Sequence, residues 1–341
     1  MENIIPVDNP LKKILKEKSW ILADGATGTQ LFEMGLTAGE SPEIWNDTKP
    51  LLIENLYKNS VKAGCDLFLT NSFGSNYSRL KLHDAGHEAF KLSQLSAEIA
   101  RNVADQASKP IIVAGSIGPT GEIFEPIGNF TVSRAVEIFH EQAEGLKAGG
   151  CDILWIETIS SLEEFGAAVQ AANLTQIPFC GTMSFDTSGR TMMGITSIQF
   201  SNFVKNCSKN LIAYGANCGV GASDLLRTIL GFQTGSLPII AKGNAGIPRY
   251  SEGKIYYSGT PELMADYACL ARDCGATIIG GCCGTTPTHL KSMHDALQAR
   301  PPRKIPTHQT IKNILGNFSS NFDGTGKIQK PSRNFKRRRN R

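Results

Sequence analysis

Cys282 and Cys283 stand side by side in the run Gly280-Gly281-Cys282-Cys283-Gly284-Thr285-Thr286, and Cys218 closes a second apolar run at Asn217-Cys218-Gly219. Zinc takes soft sulfur ligands, and three thiolates on one point leave a fourth position for a substrate, which marks a catalytic rather than a structural site. The spacing excludes a zinc knuckle, whose Cys-x-x-Cys hooks lie close together; only tertiary structure can bring Cys218 to the pair. Adjacent residues of a regular strand point to opposite faces. Both sulfurs of the pair therefore reach one metal only where a strand has ended, and the flanking glycines permit that irregular backbone. The other six cysteines (65, 151, 180, 207, 269 and 274) are scattered singly through apolar patterns and read as small buried hydrophobes.

The elements that must position these sulfurs follow from the pattern of the chain. Its 341 residues are 41% hydrophobic, enough for a sizeable core. No apolar run approaches a membrane span, and Met1 to Lys18 lacks the apolar stretch and cleavage site of a signal peptide, so a cytoplasmic protein with no membrane partner is expected. Nine cysteines in no disulfide-like framework fit a reducing compartment. The net charge of +4 is unevenly spread: residues 300–341 hold twelve Lys or Arg against one acidic residue, Asp323, which leaves the remainder negative. That tail is expected to be of low order beyond a short helix near Ile311 to Leu315. A basic run of this kind is usually simply solvated; otherwise it could hold an acidic protein, with nucleic acid a weaker reading.

Residues 19–299 resolve into eight short apolar runs, each followed by a polar or glycine turn and an amphipathic stretch. The strand candidates are 20–23, 66–70, 111–115, 153–156, 179–183, 211–216, 239–242 and 277–280, alternating with helical patterns such as 51–62, 88–107, 133–148 and 261–273. Continuous apolar strands alternating with helices argue for parallel strands buried on both faces. Eight such units in this length predict an α/β fold, a single (β/α)8 TIM barrel, with residues 1–18 as an N-terminal helix or extension and 300–341 as the tail. In such a barrel the active site lies just beyond the C-terminal ends of the strands. Those positions hold Asp24-Gly25-Ala26, Asn71-Ser72-Phe73, Glu157-Thr158, Asn217-Cys218, Gly243-Asn244 and Cys282-Cys283, the candidate site residues. The six histidines fall on helices, at helix starts or in the tail, and no dinucleotide fingerprint or phosphate loop is present.

The motifs Asp24-Gly25-Ala26-Thr27-Gly28-Thr29, Thr70-Asn71-Ser72-Phe73-Gly74, Ile117-Gly118-Pro119-Thr120-Gly121-Glu122, Asn217-Cys218, Gly243-Asn244-Ala245-Gly246 and Gly280-Gly281-Cys282-Cys283-Gly284-Thr285-Thr286-Pro287 resemble, in order, those of the homocysteine S-methyltransferase family. The chain looks most like the homocysteine-binding module of cobalamin-dependent methionine synthase and stand-alone bacterial betaine-homocysteine methyltransferases. The resemblance implies that Cys218, Cys282 and Cys283 hold zinc, that the backbone at Gly25 and Ala26 receives the substrate carboxylate, and that Asp24 and Glu157 meet its amino group. These assignments agree with what the groups can do: a carboxylate makes charge-assisted bonds to an ammonium, and glycine-rich turns present N–H donors to an anion.

Coordination to zinc would convert a weakly nucleophilic thiol into a thiolate able to attack a methyl group. Glycine betaine is the leading expected donor, since a trimethylammonium group is favoured by aromatic faces, for which Phe73, Trp45, Tyr77, Phe124 and Trp155 are available. The animal betaine enzymes carry aromatics at two donor-contacting positions that correspond here to Glu40 and Gly74. The alternative donor is a methylated corrinoid on a separate protein. A non-catalytic zinc barrel that binds a partner through its tail is a further alternative, and the sequence allows a homo-oligomer without fixing one.

Overall fold

A computed structural model of the protein describes residues 9–232, 235, 237–251 and 254–324. Its eight long-axis strands are β1 (Ile21–Leu22), β2 (Leu67–Leu69), β3 (Ile112–Ile117), β4 (Ile153–Ile159), β5 (Phe179–Met183), β6 (Leu211–Cys218), β7 (Ile239–Gly243) and β10 (Ala276–Gly281); a hairpin of β8 (Pro248–Ser251) and β9 (Lys254–Tyr257) lies between the last two. All pairings among the eight are parallel, in the order β1-β10-β7-β6-β5-β4-β3-β2. The two outer strands meet through a parallel bridge between Ala23 and Leu67 and a hydrogen bond from Asp66 N to Leu22 O (2.8 Å), so the sheet closes into the expected α/β barrel.

Period-two alternation sorts the apolar strand residues between two cores. Ile21, Leu67, Leu69, Ile112, Ala114, Ile153, Trp155 and Ile278 point inward and fill the barrel, while Leu22, Phe68, Val113, Leu154 and Ile156 face the surrounding helices. Leu11, on the N-terminal helix Pro10–Glu17, is fully buried in the inner cluster, so this helix is part of the barrel's packing. The helices Pro50–Lys62, Ala89–Asp105, Val132–Ala148 and Pro261–Asp273 match the patterns read from sequence. Several start at a side-chain cap: Thr131, Ser161 and Thr260 each accept from the backbone N–H three residues on, which occupies one of the free donors of a first turn. Among the described residues no helix is long and apolar enough to cross a membrane.

The C-terminal segment is more firmly held than its composition suggests. The helix His308–Leu315 buries Ile311 and Leu315. Beyond it, Ser319 N donates to Asp224 Oδ2 (2.9 Å), and Arg227 Nη1 donates to Ser320 O (2.7 Å). Asp224 and Arg227 are themselves a buried ion pair (2.7 Å) on the helix that follows Cys218. Residues 300–324 thus pack on the barrel, past the boundary of 299 expected from composition. The densest basic run, Lys336 to Arg341, lies outside the described residues.

Candidate active site

The turn after β10 is where a strand must end if both sulfurs are to face one point, and its backbone is pinned on all sides. Cys282 N donates to Gly243 O (2.7 Å), Cys283 N to Asn244 Oδ1 (3.1 Å), Thr285 N to Cys282 O (3.1 Å), and Ala245 N to Cys283 O (2.9 Å). Close approach demands glycine here: a Cβ on Gly25 would sit 2.6 Å from Thr285 O, and one on Gly281 2.2 Å from Thr285 Cγ2. Cys218, at the end of β6, has φ +61°, a left-handed conformation rarely adopted by a residue with a side chain.

This backbone brings Cys218, Cys282 and Cys283 together. Their sulfurs lie within 4.8 Å of one another, with Cys218 and Cys283 3.9 Å apart. A tetrahedral ion at a zinc–sulfur distance of about 2.3 Å needs sulfurs roughly 3.8 Å apart, so the three fit a metal with little adjustment. Crowding raises the thiols: Cys218 is pushed up to about 12, first by its sulfur contact with Cys282, and Cys283 to about 11, first by its contact with Cys218. A cation among the sulfurs would relieve that crowding. It is the only such cluster of potential ligands among the described residues.

The sulfurs form one wall of a cavity of about 270 Å³ at the C-terminal mouth of the barrel. Gly25, Ala26, Asn71, Phe73, Glu157 and the three cysteines line it, as the strand-end argument requires. Glu157 stands in a β-bulge of β4, where the pairing with β5 slips between Ile156 and Ile159 and Thr158 takes φ +63°. Bulges re-aim side chains. Here Glu157 is buried, with Oε1 accepting from Ser116 Oγ (2.5 Å). Burial holds it above the usual carboxylate range, against the pull of Lys242 and the Ser116 bond.

The other predicted residues have different surroundings. Asp24 is outside the cavity lining, and both its oxygens are occupied: Oδ1 accepts from Lys242 Nζ (2.6 Å) and Oδ2 from Leu69 N (2.9 Å). The Ala26 N–H donates to Thr285 O (3.1 Å). The Asn71 amide donates to Pro42 O (2.8 Å) and Asn46 Oδ1 (3.0 Å), so it fixes the loop below the mouth. Asn217 and Asn244 are buried behind the sulfurs. Asn217 Oδ1 accepts from Thr158 N (3.0 Å) and Thr182 Oγ1 (2.7 Å), while its Nδ2 donates to Thr158 Oγ1 (2.7 Å) and lies 3.9 Å from Cys282 Sγ. Asn244 ties Gly219 O (2.8 Å) to Cys283 N. Asn244 therefore ties the two cysteine-bearing loops together, and Asn217 holds the bulge at Thr158.

Lys242 was not singled out by sequence. It lines the cavity, is 3% exposed, and lies 5.6 Å from the centre of the Trp155 ring. Burial opposes its charge, but Asp24 and Glu157 outweigh burial and raise its pKa. A lysine ending the run Ile239-Ile240-Ala241-Lys242 at the catalytic face was the available signal. Of the aromatics considered for a donor cage, only Phe73 lines the cavity; Trp45 and Trp155 are buried elsewhere, and Phe124 packs edge-on against Phe130. Gly74 N donates to Glu43 Oε1 (2.7 Å), and a Cβ at Gly74 would lie 2.8 Å from that oxygen, so a larger residue could enter there only if Glu43 moved.

A parallel barrel with three convergent cysteines at its mouth is a candidate metal centre, and comparison with known proteins gives the family. The sequence model of homocysteine S-methyltransferase matches residues 21–297, and the chain belongs to that family. It is 28% identical over 326 residues to the methionine synthase of Mycobacterium tuberculosis, covering 90% of this chain and 27% of that protein. It is 29% identical over 342 residues to the methionine synthase of Mycobacterium leprae, covering 95% and 28%. The chain thus spans little more than a quarter of the length of these relatives. Its fold is similar to that of the homocysteine methyltransferase MmuM from Escherichia coli, whose metallated form superposes with a TM-score of 0.70 at 22% identity over 84% of this chain and 99% of that one.

Proposed function

We propose that the protein transfers a methyl group to the sulfur of homocysteine and so forms methionine, using zinc held by Cys218, Cys282 and Cys283. The observation that carries this reading is the placement of three convergent sulfurs beside a buried carboxylate in one amino-acid-sized cavity. Zinc bound there would lower the pKa of a thiol in its open position and supply a thiolate nucleophile at neutral pH.

The chain's own residues bind and orient. Glu157 faces the cavity with one oxygen bonded to Ser116 and the other without a hydrogen bond among the described residues, which suits it to receive the substrate ammonium. Such a bond replaces the solvation that burial removed, and bonds to charged groups contribute about 1.5–3 kcal/mol. The bulge at Thr158 fixes the direction of that carboxylate relative to the sulfurs. Gly25 to Thr29 and Phe73 complete the lining of the cavity and would restrict the orientations of a bound thiol toward the mouth, where the methyl donor must arrive.

Glycine betaine remains the first donor to test, with Phe73 as the aromatic face toward its onium group. The presence of a single lining aromatic among the described residues and the match to about a quarter of the methionine synthases favour a second reading, in which a separate methyl-corrinoid protein brings the methyl group to the mouth. The deciding experiment is methionine formation from homocysteine by the zinc-loaded chain, with betaine alone and with a methylated corrinoid protein alone. Turnover with betaine makes the chain self-sufficient. Turnover only with the corrinoid protein makes it the homocysteine-activating half of a split methionine synthase, and no turnover or homocysteine binding under either condition refutes the assignment.

A further inference from the structure

Tyr257 ends β9, and the close of its hairpin is tied to both sides of the cysteine turn. Gly259 N donates to Ala245 O (2.8 Å) on the turn after β7, and Gly259 O accepts from His289 Nε2 (2.9 Å) on the helix that follows the cysteines. So anchored, the Tyr257 ring lies against Gly284, the residue after Cys283, where a Cβ would fall 2.3 Å from Tyr257 Cγ. The Tyr257 hydroxyl donates a hydrogen bond to the Cys283 sulfur, although Tyr257 itself does not line the cavity. All three ligand sulfurs do line it and are only partly covered. A methyl donor entering the mouth therefore meets protein thiolates as well as the substrate's.

We propose that Tyr257 is a positioning residue of the metal centre, whose hydrogen bond to Cys283 keeps that ligand from taking the methyl group meant for the substrate sulfur. This rests on the reading of the three cysteines as a zinc site and adds a reason why the site does not methylate itself. A thiolate attacks a methyl carbon with a lone pair: the S–C bond forms, the bond from carbon to the leaving group breaks, and its electron pair departs with that group. A donated O–H bond draws density from the sulfur, and attack must first weaken it; bonds to ionised acceptors are about twice as strong as neutral ones. Methylation would also turn an anionic ligand into a neutral thioether, a weak acceptor. The phenol is suited to the task. It keeps its proton beside the sulfur, because burial first, and then the charge on Cys283, raise its pKa. The same bond acts the other way on Cys283, whose pKa is set chiefly by its contact with Cys218, and favours the thiolate there. Cys282 has a different neighbour, the Asn217 amide nitrogen at 3.9 Å, so removal of the phenol singles out Cys283.

The test treats the zinc-loaded full chain, without homocysteine, with methyl iodide, a small neutral donor, and follows methylation of each cysteine by peptide mass spectrometry. Tyr257→Phe keeps the ring on Gly284 and removes only the hydroxyl. It should methylate Cys283 about tenfold faster than the wild type does, with Cys218 and Cys282 changed by less than about twofold. In the cobalt(II)-substituted variant the sulfur-to-metal charge-transfer band should move to longer wavelength, a signature read with no methyl donor present. Incorporation of 3-fluorotyrosine, a stronger hydrogen-bond donor, should slow methylation of Cys283 in the otherwise unchanged chain, with the other two sulfurs as internal controls; this arm stands if Tyr257→Phe does not fold. An unchanged Cys283 rate in the phenylalanine variant overturns the proposal. So does equal acceleration at all three sulfurs, which would make the tyrosine a cover over the site and nothing more. If the wild-type chain retains no zinc, the metal reading itself fails; retained zinc with no change confined to Cys283 refutes the role of Tyr257 alone.

Discussion

Asn217→Ala separates a substrate-binding asparagine from one that holds the site's backbone. In the structure Asn217 is fully buried and bonds to both the N–H and the hydroxyl of Thr158 and to the hydroxyl of Thr182. Truncation leaves Thr182 Oγ1 buried and Thr158 N part-buried without this acceptor, at up to about 1–3 kcal/mol each, a gross loss of about 2–6 kcal/mol. Part is recovered because Thr158, at φ +63°, is freed from a conformation that costs about 1–3 kcal/mol. The net expectation is a loss of about 1–3 kcal/mol, read as a lower urea midpoint at unchanged slope. The bulge that aims Glu157 and the amide beside Cys282 Sγ are disturbed together, so homocysteine binding and metal retention against a chelator should weaken with stability. A variant with wild-type urea stability and metal retention, but weaker homocysteine binding, would refute this reasoning and place the asparagine on the substrate.

Replacing Cys218, Cys282 or Cys283 singly with Ser should abolish stoichiometric zinc binding, measured by metal analysis after dialysis, while the circular dichroism spectrum of the barrel persists; full zinc content in any one variant removes that residue from the site. Deletion of residues 308–341 should cost about 3–6 kcal/mol of unfolding free energy, measured by urea denaturation, since it exposes the pockets of Ile311 and Leu315 and strips the contacts to Asp224 and Arg227; a loss under about 1 kcal/mol contradicts the docking. Glu164 is buried, and burial outweighs the two bonds it accepts from Thr120, so its pKa is raised. A raised acid contributes stability below its unfolded pKa and loses it as pH rises through the folded value. Glu164→Gln should therefore be more stable than the wild type at neutral pH in a denaturant titration, with the gap closing as pH falls toward 4.5; a gap independent of pH contradicts the assignment.

The barrel was legible because its strands are buried on both faces, so each reads as a continuous apolar run bounded by glycine or polar turns. The ends were less so. β3, β4 and β6 continue to Ile117, Ile159 and Cys218, past Ser116, Glu157 and Asn217, because a polar side chain at the mouth does not stop the backbone from pairing. Hydropathy marks those residues as loop, although the ladder still holds them. The cysteine cluster was readable from strand-end placement. The hydrogen bonds of Asp24, Asn217 and Asn244 were not, since each reaches another strand or loop across the barrel mouth. The tail misled for a related reason. Asp224 and Arg227 look like an ordinary pair three apart on a helix surface, and only the docking of residues 317–320 shows why they are buried.

The same hydrogen bonds close the barrel and shape the site. Ala23 N to Ile279 O (2.8 Å), Gly281 N to Asp24 O (2.9 Å) and Cys282 N to Gly243 O (2.7 Å) stitch β1, β10 and β7 together, and they run directly into the two cysteines and the Asp24–Lys242 pair. Sulfur positions in this region are therefore fixed by the main chain of three strands, which favours a preformed metal site over one assembled on binding. Glu157 is set differently. Its direction depends on a bulge held by one asparagine and one serine. The site is thus held in two ways, by a main-chain seam under Cys282 and Cys283 and by a side-chain-tethered bulge that carries Glu157 to the cavity. Substitutions in the seam, such as at Gly25 or Gly281 where any Cβ collides with Thr285, must damage fold and metal site together, whereas changes at Glu157 or Ser116 should alter which thiol is chosen while the metal stays bound.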